Sequence, residues 1–100
     1  MLVRIVKLRF QEDKVEDFLA FFETVKEKVN CFSGCKGMQL LRDVVDPSIF
    51  ITYSHWENEE ALNAYRHSDT FKMVWPTLKK WFEFPAEAWS VEIAFDGFKH

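Results

Sequence analysis

Apolar residues recur along this chain in two periods, and the period changes at turn-forming residues. Residues 2–10, LVRIVKLRF, place Leu2, Arg4, Val6, Leu8 and Phe10 on one face of a strand. Val3, Ile5, Lys7 and Arg9 fall on the other. Both faces carry apolar side chains, so both are expected to be at least partly buried. Over 12–30 the spacing becomes helical, with Val15, Phe18, Leu19, Phe22, Val25 and Val29 on one stripe. Glu12, Asp13, Glu16 and Asp17 crowd the start of that helix, and Lys26 and Lys28 lie toward its end, as the helix dipole favours. Residues 31–37, with Gly34 and Gly37, read as a loop.

Two strands follow, MQLLRDVV over 38–45 and IFITYSHW over 49–56. Asp46-Pro47-Ser48 between them is a turn signal, which predicts a hairpin. Asn58 is placed to cap a short helix running to about Arg66. Ser68 or Asp69 caps another helical piece carrying Phe71, Val74, Trp75, Leu78 and Trp81. Pro76 removes a backbone donor and disfavours helix at Trp75, so the second helix is expected to be split near Pro76. Residues 83–88 read as a loop containing Pro85. Residues 89–95, WSVEIAF, alternate as a last strand with Trp89, Val91, Ile93 and Phe95 on one face. The remaining residues to His100 read as tail.

The order is βαββαβ, which predicts an α+β fold of the ferredoxin-like type with a four-stranded antiparallel sheet, as one domain over 1–100. Helices would cover one sheet face. Val3 and Ile5 make the other face apolar, and an exposed apolar face calls for a partner, most simply a second copy. Composition agrees: 48% of the residues are hydrophobic and 17% aromatic, more than a small monomer readily hides. The excess points to a pocket, a subunit interface, or both.

Charge excludes some functions. The formal net charge is −3, with 13 basic and 16 acidic residues intermixed, so no basic stripe exists to follow a nucleic acid. No apolar run approaches the roughly 20 residues of a membrane span. The first residues enter a strand directly, without a leader pattern, so the expected location is cytoplasmic. Cys31 and Cys35 lack CxxC spacing and a neighbouring histidine cluster, which argues against zinc and for two reduced thiols near a loop.

The block from Trp56 to Phe71, WENEEALNAYRHSDTF, with the opening VRIVKLRFQEDKVEDFL and the closing AWSVEIAF, resembles the antibiotic biosynthesis monooxygenase family. That resemblance implies a dimeric α+β barrel. It also implies oxygenation of a small aromatic or quinol-like molecule without metal, flavin or haem, the deprotonated substrate itself being the reductant. Such chemistry needs an apolar pocket, a proton acceptor and groups that stabilise an enolate, and no cofactor is expected. A haem-degrading branch has Asn, Trp and His where Val6, Tyr65 and Trp75 stand here; Trp cannot ligate iron, so that branch is set aside. Another group has histidines where Tyr65 and Thr70 stand.

Candidate site residues follow, each beside a plainer role. The Tyr65 hydroxyl either meets a phenolic substrate or rests at the surface of a packed ring. Trp75 is either a pocket wall stacking on a flat ring or core. Arg4 either holds an enolate or pairs with a carboxylate such as Glu92, or lies in solvent at the strand end. His55 shares a strand face with Tyr53 and is either a proton acceptor or an interface histidine. Tyr53, Trp75 and Trp81 are the expected substrate contacts, and His67 reads as a surface residue. The expected function is a cofactor-independent monooxygenase, catalysed through His55, Tyr65 and Arg4. The alternative is a non-catalytic dimer that binds a small apolar ligand in the same pocket.

Overall fold

A computed structural model describes residues 1–99; His100, expected in the tail, lies outside the described residues. The strands are β1 (Leu2–Phe10), β2 (Cys35–Arg42), β3 (Ile49–Trp56) and β4 (Phe82–Val91), and the helices are α1 (Val15–Asn30), α2 (Glu59–Arg66) and α3 (Asp69–Lys79). A single 3-10 turn over Glu12–Lys14 leads into α1. The sheet is four-stranded with order β2-β3-β1-β4, and every pairing is antiparallel. This is the ferredoxin-like α+β arrangement that the order of elements predicts.

Strand register decides which side chains meet the helices. Arg4 lies opposite Ser54 and Ser90, and Val6 opposite Thr52 and Ala88. These residues share the helix-covered face with Leu8, Phe10, Phe50 and Trp56, each only 1% exposed. Val15, Phe18 and Val25 of α1 and Val74 and Leu78 of α3 complete the core. Phe18 stacks on Phe10 at 4.2 Å between ring centroids and meets Phe50 edge-on at 5.0 Å. The opposite face carries Val3, Ile5, Ile51, Tyr53, His55, Leu41, Trp89 and Val91. No helix lies on it, and Leu41, Trp89 and Val91 are exposed.

The structure departs from the sequence expectation at Pro76, at both ends of β2, and at both ends of β4, which stops at Val91 and leaves Ile93 and Phe95 outside the strand. The helix breaks at His67–Ser68, as the expected caps place it, and the further split expected near Pro76 does not occur. The Asn58 side chain caps α2 by accepting from the Ala61 amide at 2.9 Å, and the Ser68 hydroxyl caps α3 by accepting from the Phe71 amide at 3.2 Å. Ser68 has extended backbone, so a new helix starts there and the old one must stop. Pro76 sits inside α3, within its last turn and a half, on an exposed position. The carbonyl that loses its donor there belongs to Lys72, also exposed, where water can replace the bond. Downstream, β4 begins at Phe82, so Pro85 lies within a strand. It is tolerated because β4 is an edge strand and pairing with β1 skips register there: Lys7 opposes Glu87 while Arg9 opposes Phe84, leaving two β4 residues against Leu8. Finally, β2 runs from Cys35 to Arg42, and Val44 and Val45 belong to the turn. The Asp43 carboxylate accepts from the amides of Val45 and Asp46 and folds the chain back before those valines can pair.

Gly34 joins α1 to β2 in the left-handed region, at φ +88°. A Cβ there would collide with the Ala61 side chain of α2, so this corner requires glycine twice over.

Candidate functional site

Small residues on the helix-facing side of the sheet create the site. Thr52 and Ser54 of β3 and Ala86 and Ala88 of β4 are too short to reach the helices. Long side chains of α1 and α3 close over them, and a cavity of about 390 Å³ is left between sheet and helices. That volume suits a drug-sized molecule. Its walls are apolar: Val6 and Leu8 from β1, Phe18 and Phe22 from α1, Phe71 and Trp75 from α3.

An aromatic chain frames one side. Tyr65 stacks on Trp56 at 5.2 Å and meets Phe71 edge-on at 5.3 Å, and Phe71 in turn stacks nearly parallel on Trp75 at 5.6 Å. Trp56 is fixed from below, since its indole N–H donates to the buried Ser54 hydroxyl at 3.0 Å. Burial pushes the Tyr65 phenol up to about 12, with a smaller contribution from Cys35. Tyr65 therefore stays protonated at physiological pH. It is a hydrogen-bond donor and not a base.

The polar groups of the cavity are few and gather at one end. Arg4 of β1 donates to the Ser90 hydroxyl of β4 at 3.0 Å. Burial lowers the pKa of its guanidinium from the ordinary value, and the nearby charge of Arg66 lowers it further. No ion pair to Arg4 or Arg66 exists among the described residues, so the Glu92 partner considered from sequence is not taken up. Arg66 closes α2, and His67 follows at the corner before α3. His67 Nδ1 lies 2.8 Å from the Asn63 carbonyl oxygen, which can only accept. The neutral ring therefore carries its proton on Nδ1, and Nε2 is left as the basic nitrogen.

Of the residues singled out in the sequence, Arg4, Tyr65 and Trp75 line the cavity together. Tyr53 and His55 do not: they lie on the open sheet face, where the Tyr53 hydroxyl and His55 Nε2 are 2.7 Å apart. Trp81 lies outside the lining as well and packs edge-on against Phe21 of α1 at 5.8 Å. Arg66 is not singled out in the sequence, and His67, read there as a surface residue, is exposed; both also line the cavity from the corner that the Ser68 cap creates. Among the described residues, no group of three or more His, Cys, Asp or Glu side chains is placed to hold a metal ion. No described helix is long and apolar enough to cross a membrane.

The family model for antibiotic biosynthesis monooxygenases matches residues 1–74. The chain belongs to that family. The matched stretch runs from β1 through most of α3 and contains Arg4, Tyr65, Arg66 and His67. Solved structures share the fold of this family member. A protein whose structure is described as an antibiotic biosynthesis monooxygenase superposes with a TM-score of 0.88 at 18% identity, covering 94% of this chain and 99% of that one. A conserved protein of Methanosarcina mazei Go1 gives 0.85 at 23% identity, covering 91% of each chain. Rv0793 of Mycobacterium tuberculosis gives 0.87 at 12% identity, covering 97% and 98%. A search of curated proteins finds no match.

Proposed function

We propose that this family member is a cofactor-independent monooxygenase acting on a small aromatic or quinol-like molecule bound between sheet and helices, and that it works as a homodimer. The observation that carries the reading is the apolar cavity with a basic nitrogen, His67 Nε2, and two cations, Arg4 and Arg66, among its lining residues. A flat reduced ring lies against Trp75 and Phe71. His67 takes a proton from it, and Arg4 balances the enolate that forms, with Tyr65 as a neutral donor. The electron-rich substrate then reduces dioxygen. One oxygen atom becomes the new carbonyl oxygen of the product, and the other leaves as water with two hydrogens from the oxidised carbon. His55, Tyr53 and Trp89 lie on the open face and belong in this reading to the contact between copies.

The test is oxygen uptake with a panel of anthrones, whose ring CH2 supplies the two hydrogens, with the quinone product followed alongside. Uptake above the uncatalysed background is expected, and His67→Gln should slow it by about a hundredfold, the ordinary worth of a positioned base. Absence of turnover on every compound would end the catalytic reading. Saturable binding of the same compounds would then leave the non-catalytic binder, which the departures from catalytic relatives at Val6, Tyr65, Thr70 and Trp75 also favour.

A further inference from the structure

The lining of the cavity is one-signed. The chain carries 16 acidic residues against 13 basic ones, yet no Asp or Glu lines this space, whereas Arg4, Arg66 and His67 all do. The three come from separate places, the middle of the sheet and the corner between α2 and α3. They converge at one end of an otherwise apolar space. Two guanidiniums near each other without a carboxylate repel, and here Arg4 is half-buried while Arg66 is exposed, so the cost falls on Arg4. Burial and the Arg66 charge both act on the Arg4 side chain in that direction. Its sole side-chain hydrogen bond among the described residues goes to a neutral hydroxyl, Ser90. Guanidinium presents several N–H donors in a fork that matches an anionic oxygen group, so most of the donor capacity of Arg4 is unused.

We infer that the physiological ligand is amphipathic: a flat apolar body against Trp75 and Phe71, and a carboxylate or other anionic oxygen group bound between Arg4 and Arg66. The inference rests on the reading that the cavity takes a ligand and adds the charge that the ligand carries. The anion completes the electrostatics of the site and fixes the end of the molecule that faces the corner. A neutral hydrocarbon would leave the half-buried Arg4 without a counter-charge.

A pair of dyes isolates the charge. Anilinonaphthalene sulfonate and N-phenylnaphthylamine share their aromatic skeleton and differ by the anionic group. Their fluorescence on binding is titrated with the intact protein. The sulfonate is expected to bind roughly tenfold or more tightly, the scale of a charge-assisted hydrogen bond. Added salt should narrow that preference. Arg4→Met and Arg66→Met should each bring the ratio of the two affinities toward one, while Lys28→Met, on an exposed turn of α1, should leave it unchanged. Because the readout is a ratio within one protein, a general loss of packing does not imitate the result, and the salt series on the unmodified protein stands even where an arginine variant does not fold. Equal affinities for the two dyes would overturn the anion inference and leave the ligand cavity standing. Failure of both dyes to bind would overturn the cavity reading, and the inference with it. A preference that survives both arginine substitutions would place the anion elsewhere and refute the assignment.

Discussion

Tyr65→Phe tests the interior of the site without any substrate. The wild-type phenol is raised from 10.0 to about 12 by burial among Trp56, Phe32 and Phe71. In the unfolded chain it ionises near its ordinary value. The sign follows from linkage. Below about pH 10 the phenol is neutral in both states and its full contribution to stability is present. Between about pH 10 and 12 the unfolded chain loses the proton and the folded chain keeps it, so stability falls as pH rises. At about 1.36 kcal/mol for each tenfold change in proton concentration across that range, the total loss is roughly 2.7 kcal/mol, about half of it by pH 11. Phenylalanine has no proton to lose. Denaturant unfolding of the two proteins from about pH 8 to 11 should therefore give a stability difference that is flat and then shifts in favour of the variant by roughly 1.3 kcal/mol. Lysine and arginine titrations occur in both proteins and cancel in the difference. Since the chain has two tyrosines, a Tyr53→Phe background leaves tyrosinate absorbance reporting on Tyr65 alone. A difference that stays flat to pH 11, or a Tyr65 that ionises near pH 10 in the folded protein, would refute both its burial and its assignment as a neutral donor.

Other substitutions probe the frame of the site. Ser54→Ala removes the acceptor of the Trp56 indole N–H and should cost about 1–3 kcal/mol in denaturant unfolding, the penalty of an unpaired buried donor. Gly34→Ala combines a left-handed backbone with a collision at Ala61 and should cost at least about 1–3 kcal/mol by the same measurement. Asn58→Ala removes the cap of α2 and should cost about 1 kcal/mol, whereas Asn58→Asp should retain most of it. Trp89→Glu places a charge on the open sheet face and should halve the mass seen in sedimentation while circular dichroism stays that of the folded protein; an unchanged mass would count against that face as the contact between copies.

Much of the fold was legible because its periods are unambiguous. The alternation of β1 assigned Arg4, Val6, Leu8 and Phe10 to the helix side, and the stripe Val15–Phe18–Val25–Val29 fixed the inner face of α1, as burial confirms. β3 was legible only to a two-fold ambiguity. Phe50 and Trp56 recommend one of its faces and Ile51 and Tyr53 the other, and periodicity cannot choose between two apolar faces. That is why His55 and Tyr53 were assigned to the pocket and are found on the opposite side. Proline misled twice for one reason: its cost falls to little where the lost hydrogen bond would face water, at Pro76, or sit at a bulge, at Pro85. His67, read as a surface residue, is indeed exposed, yet it and Arg66 also line the cavity, which periodicity alone does not reveal.

The two register skips of β4 reach beyond the geometry of the cavity. An edge strand with an unbroken row of amides can recruit a strand from another molecule and grow a ribbon without limit. Here Pro85 removes one amide from that row, and the skips between Lys7 and Phe10 interrupt its regularity between Phe82 and Glu87. This border of the sheet is thus poorly suited to open-ended aggregation. In a chain with so much exposed aromatic surface, the distinction matters: association through a face closes on itself after two copies, whereas association along an edge never closes.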